Sequence, residues 1–169
     1  KVGSEFFGYA TGLIAAFLYS ISPLAIAYSR SSWNPNLMPF FSLLTLYILY
    51  KAVNKNKIKL FILCGFLLGI AMQLHYLSIF LGVIIACYIF LTGSMPVQRY
   101  SLRESVFRIL REYFYILLGF FIGWSPFLAF EVRHGFPNIR SIINFVIGGQ
   151  ETGENSQFFV TIGNVFFRL

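Results

Sequence analysis

Outside two basic runs, the residues of this sequence that could do chemistry fall in three short clusters. Arg30 stands with Asn34 and Asn36; Gln73 with His75 and Tyr76; and Glu131 with Arg133 and His134. A guanidinium pairs bidentately with phosphate, and an imidazole can donate a hydrogen bond or take up a proton near neutral pH. Arg30, His75, Arg133 and His134 are therefore candidates to hold an anion, and the others would bind substrate beside them. Each has a plainer reading. Arg30 could anchor a helix end in lipid headgroups, His75 could be an interfacial turn residue, and Glu131, Arg133 and His134 could form a local pair capping a helix end. No nucleotide loop, zinc spacing, nucleophile elbow or paired Asp motif occurs. All six acidic residues are Glu, at 5, 104, 112, 131, 151 and 154, and there is no Asp.

The elements that must position these residues are apolar helices. Of 169 residues, 57% are hydrophobic and only 11% charged, against roughly a quarter charged in soluble domains. An ordinary soluble globule is excluded. Windows 6–29, 31–50, 60–98 and 113–130 contain no Asp, Glu, Lys or Arg and together hold 101 of the 169 positions. Apolar runs of about 18 or more residues are transmembrane candidates. The expected fold is an all-α polytopic bundle, with a transmembrane region over 1–138 and spans near 6–21, 37–50, 60–74, 77–91 and 113–130. Ser22-Pro23 should break the first window, because proline lacks the backbone donor and disfavours helix just before it. Gln73-Leu74-His75 should divide the long third window. Over 139–169 the pattern predicts an outer-face amphipathic helix from Ile139 to Ile147, a polar loop over 148–156 and the start of a further element.

Basic residues orient the spans. Segments 51–59 and 99–111 carry eight Lys or Arg, whereas the opposite loops carry Arg30, Arg133 and Arg140. By the positive-inside rule 51–59 and 93–111 face the cytoplasm. The three clusters then all face outward. The net charge of +7 thus reflects topology, and a nucleic-acid partner is not expected. Gly8/Gly12, Gly65/Gly69 and Gly119/Gly123 are spaced to let neighbouring helices approach closely. Cys64 and Cys87 are expected as buried apolar filler. Neither chain end has the pattern of a natural terminus or signal peptide, so the expectation is an internal piece of a longer protein.

Three stretches carry a family resemblance. They are Ser22-Pro-Leu-Ala-Ile-Ala-Tyr-Ser-Arg30 with Trp33-Asn-Pro-Asn36, Gly65-Phe-Leu-Leu-Gly-Ile-Ala-Met-Gln-Leu-His-Tyr76, and Pro126-Phe-Leu-Ala-Phe-Glu-Val-Arg-His-Gly-Phe-Pro137. In this order they resemble the membrane glycosyltransferases of the protein O-mannosyltransferase and aminoarabinose-transferase type, family 39 with the GT-C fold. The resemblance implies transfer of a sugar from a polyprenyl-phosphate donor to an acceptor hydroxyl at the outer face, with inversion at the anomeric carbon. It also implies an Asp base in an external loop upstream of this chain, and cationic side chains that stabilise the departing lipid phosphate. Arg30 and His75 match positions where the family presents polar or basic groups. His75 stands where some relatives have Lys, and Asn34-Pro-Asn36 where others have an acidic residue. No residue here is assigned as catalytic, Glu131 included, and no cofactor or metal is assigned. The implied partners are membrane lipid, the lipid-linked sugar and a glycan, lipid or protein acceptor. A bacterial plasma membrane suits such chemistry, and this piece alone would be inactive. The competing readings are a multispan transporter or flippase, which needs ionisable groups at mid-membrane, and a noncatalytic membrane scaffold.

Overall fold

A computed structural model describes residues 1–94 and 102–144, and among them there are helices and turns but no strand. The helices are α1 (Val2–Phe7), α2 (Tyr9–Ile21), α3 (Pro23–Ser29), α4 (Met38–Lys55), α5 (Ile58–Leu74), α6 (Ser78–Ser94), α7 (Leu102–His134) and α8 (Pro137–Ile143). A 3-10 turn, Asn34–Leu37, leads into α4. This is an all-α membrane protein. The chain forms two compact units, Lys1–Phe127 and Leu128–Leu169.

In the first unit, four helices meet at one apolar core. Leu49 and Ala52 of α4 pack with Phe61, Cys64 and Leu68 of α5, Leu81, Ile85 and Ile89 of α6, and Ile116 of α7. Cys64 is buried as expected, but Cys87 is exposed, because it lies on a face of α6 that no described helix covers. The glycines of α5 and α7 interlock. A Cβ on Gly65 would strike the Ile116 carbonyl, and one on Gly119 would strike the Ile62 carbonyl. Gly69 and Gly123 lie likewise against the Phe120 and Phe66 backbones. Two small-xxx-small faces are thus pressed together, so their backbones nearly touch.

Several boundaries differ from the sequence expectation. The first window is not one span from Phe6. Gly8, at φ 94°, separates α1 from α2, and the chain turns so that Ser4 packs against Gly12. Gly8 and Gly12 therefore do not share a packing face. The break at Ser22-Pro23 is present, with the Ser22 hydroxyl accepting the Ala25 N–H at 3.4 Å and a bend of 61° between α2 and α3. Likewise α5 stops at Leu74 and α6 starts at Ser78, around the predicted polar trio. Residues 102–111, expected in a loop, are instead the first turns of α7. By length and composition two helical stretches can cross a membrane, Asn34–Lys55 and Arg103–His134, or three if the bent α2–α3 pair counts as one span. At 17 residues, α5 and α6 reach roughly 25 Å, somewhat short of a ~30 Å hydrocarbon core.

In the second unit, α8 covers the beginning of the predicted amphipathic helix. Its continuation through Ile147, the polar loop over 148–156 and the element from Phe158 lie outside the described residues.

Candidate functional site

The loop after α3 is built by one side chain. Asn36 Nδ2 donates to the Tyr28 carbonyl at 2.8 Å and the Ser31 carbonyl at 2.7 Å, and lies 2.8 Å from Ser31 Oγ. These bonds fold 28–36 into a tight hook. Arg30 sits on its outside, exposed. Among the described residues its guanidinium has no hydrogen-bond or ion-pair partner, so its donors point to solvent. Asn34, also exposed, opens the 3-10 turn. Under the hook lies a cavity of about 400 Å³ lined by Tyr19, Ser22, Tyr28, Ser29, Trp33 and Asn36 among others. In the sequence Trp33 stood only within a stretch carrying the family resemblance. The signal for the cavity was the Ser22-Pro23 bend, which sets Tyr19 and Tyr28 on either side of one recess.

The second cluster occupies the α5–α6 turn. Gln73 faces inward: its Nε2 donates to the Gly123 carbonyl at 2.7 Å and lies 3.4 Å from the Gly69 carbonyl. It extends the glycine contact between α5 and α7 by one turn, and so its amide is used in packing. His75 Nδ1 accepts the Leu77 N–H at 3.2 Å, and its ring stacks on Tyr76 with centroids 4.6 Å apart. A nitrogen that accepts a backbone N–H carries no proton, so Nε2–H is the donor His75 can offer a ligand. The buried Ser78 hydroxyl, 2.7 Å from the Ala71 and His75 carbonyls, closes the turn.

These two clusters share one end of the first unit. Ser78 Oγ lies 3.4 Å from Met38 Sδ, and the 3-10 turn packs on α5. The basic residues gather at the other end, where Arg111 Nη2 donates to Asn56 Oδ1 at 2.8 Å and Lys51 Nζ lies 3.3 Å from Glu5. Within the first unit, Lys51 and Arg111 thus lie at the end opposite these two clusters.

The third cluster belongs to the second unit and is structural at its centre. Glu131 is fully buried. Its Oε1 accepts the Asn138 side-chain amide at 2.5 Å and the Asn138 N–H at 3.3 Å, while Oε2 accepts the Ile139 N–H at 3.2 Å. Those N–H groups are the orphan donors at the start of α8, so Glu131 caps that helix across the Gly135–Phe136 turn. The plainer reading of Glu131 describes its geometry. Exposed His134 places Nδ1 2.8 Å from the Phe130 carbonyl and stacks on the Phe130 ring; Arg133 is exposed beside it.

Comparison with known proteins adds a family. The sequence pattern of the dolichyl-phosphate-mannose-protein mannosyltransferases matches residues 1–130. A Bacillus subtilis (strain 168) protein named "Putative mannosyltransferase YkcB" is 29% identical over 75 residues, which are 44% of this chain and 10% of that protein. The chain thus matches about a tenth of the length of this relative. No solved structure matches.

Proposed function

Because this chain belongs to the dolichyl-phosphate-mannose-protein mannosyltransferase family, we propose that the intact protein is a membrane glycosyltransferase using a polyprenyl-phosphate-linked sugar. The observation that carries the reading is that the 34–37 turn packs on α5 and Ser78 lies against Met38, so both clusters lie at the end of the first unit opposite Lys51 and Arg111. In the proposed reaction an acceptor hydroxyl attacks the anomeric carbon from the face opposite the phosphate. The new C–O bond forms as the bond to the phosphate oxygen breaks, which inverts the centre. A base removes the hydroxyl proton, and we assign none to this chain. Glu131 is held by α8 and Glu5 by Tyr47 and Lys51. Negative charge grows on the leaving phosphate, and the exposed Arg30 guanidinium and the His75 Nε2–H are the groups that stabilise it. The recess lined by Tyr28, Trp33 and Asn36 is concave, mostly apolar and edged by a few polar groups, as a small-ligand site is. We place this face on the outer side of a bacterial plasma membrane, with five spans and 51–59 inside.

Two substitutions, Arg30→Ala and His75→Ala, test the assignment. In the intact protein each should lower transfer from a polyprenyl-phosphate sugar tenfold or more, in line with the roughly 10²–10³ of one lost oxyanion donor. His75→Gln, which keeps an N–H donor, should recover part of it. Unchanged turnover in both alanine variants removes these residues from the site, and absence of any transfer by the intact protein rejects the enzyme.

A further inference from the structure

A second cavity, of about 470 Å³, lies at the basic end and is lined by Asn56, Glu104, Phe107, Arg108 and Arg111. Asn56 is in the left-handed conformation that ends α4, and its Oδ1 fixes Arg111 through the 2.8 Å bond. Arg108 donates Nη2 to the Thr92 carbonyl at 2.9 Å and lies 3.9 Å from the buried Glu112. Lys55 and Lys57 flank Asn56 in sequence, and Arg103 lies over the Phe107 ring at 5.8 Å. The local balance therefore remains positive despite Glu104 and Glu112. From Phe107 in this recess an exposed apolar stripe runs along α7. Phe107, Leu110 and Phe114 recur on one face of α7 and are 63%, 59% and 62% exposed. A free anion has no use for that stripe, whereas a lipid has both a charged head and apolar tails.

We propose that this cavity binds the headgroup of an anionic phospholipid from the adjoining leaflet, with its acyl chains along Phe107, Leu110 and Phe114. The phosphate diester pairs with the Arg111 guanidinium, backed by Arg108 and the flanking lysines. This site is independent of the transferase reading, lying at the other end of the bundle from Arg30 and His75.

Native mass spectrometry of the intact protein, released from mixed phosphatidylcholine and phosphatidylglycerol nanodiscs, tests it. Phosphatidylglycerol should be retained in excess over phosphatidylcholine of the same chains. Arg111→Gln should cut that excess about fivefold, the effect of one cation at a membrane surface, while Arg111→Lys keeps most of it. Arg140→Gln, in α8, should change nothing. Equal retention of the two lipids overturns the proposal, as does an equal loss in Arg140→Gln. So does displacement by millimolar inorganic phosphate, which would make the site one for a free anion.

Discussion

Asn36 and Glu5 show how single side chains hold the two ends of the first unit. Asn36 offers only N–H donors to the Tyr28 and Ser31 carbonyls. Replacing it with alanine hands both exposed acceptors to solvent and should cost about 0.5–1.5 kcal/mol in a denaturation measurement. Asn36→Asp, which turns a carboxylate toward those carbonyls, should cost more than alanine; equal or smaller loss would show that the hook does not depend on this amide. At the opposite end Glu5 accepts a hydrogen bond from the Tyr47 hydroxyl and pairs with Lys51. The Tyr47 bond is the largest influence and holds the Glu5 carboxyl below its ordinary range, against some desolvation, with Lys51 adding to the lowering. A carboxyl lowered on folding stabilises fully above its unfolded value of about 4.3 and loses that contribution as pH falls through its folded value. The melting temperature should therefore fall between about pH 6 and pH 3, and fall less in Tyr47→Phe. Parallel curves for the two proteins would remove Glu5 from the acid response.

Helix contacts account for what the glycines do. The spacing of Gly65/Gly69 and Gly119/Gly123 was visible along the chain, and so was their use in close packing; that they face each other was not. The third pair failed because Gly8 lies at a φ that ends a helix, and Gly12 meets Ser4 instead of a second span. Gly119→Ala pushes a methyl into the Ile62 carbonyl, with backbone on both sides and no flexible side chain to yield. It should destabilise by about 1–3 kcal/mol, the range for overpacking. Gly82→Ala is the control, since its Cβ would meet only Leu68 Cδ2 at an ordinary 3.7 Å. Equal melting temperatures for the two variants would mean that α5 and α7 do not approach this closely. Gln73 belongs with these glycines, since its amide donates to the Gly123 carbonyl of the facing helix.

The distribution of charge gives the proposed orientation a direct test. On a background lacking Cys64 and Cys87, Asn54→Cys and Ser141→Cys should react with an impermeant thiol reagent from opposite sides of sealed vesicles. Labelling from one side alone would overturn the orientation drawn from the basic segments. The exposed apolar surface fits the same setting. Phe17, Phe40, Phe80 and Phe121 each keep more than half their area uncovered, an arrangement that lipid, and not water, tolerates.

The sequence by itself determined the class of fold, the breaks at Ser22-Pro23 and Gln73-His75, and which ends carry the cations. These follow from local chemistry: proline removes a backbone donor, polar residues avoid hydrocarbon, and charge cannot be buried there without a partner. Tertiary structure decided which polar groups are already spent. Glu131, Asn36 and Gln73 satisfy backbone donors and carbonyls seven, eight and fifty residues away, while among the described residues Arg30 keeps its donors and His75 its Nε2–H. A side chain looks the same along the chain whether it will close a helix end or meet a substrate. Only the packing of backbone around it tells the two apart, because a buried donor or acceptor must be paired before anything is left for a ligand.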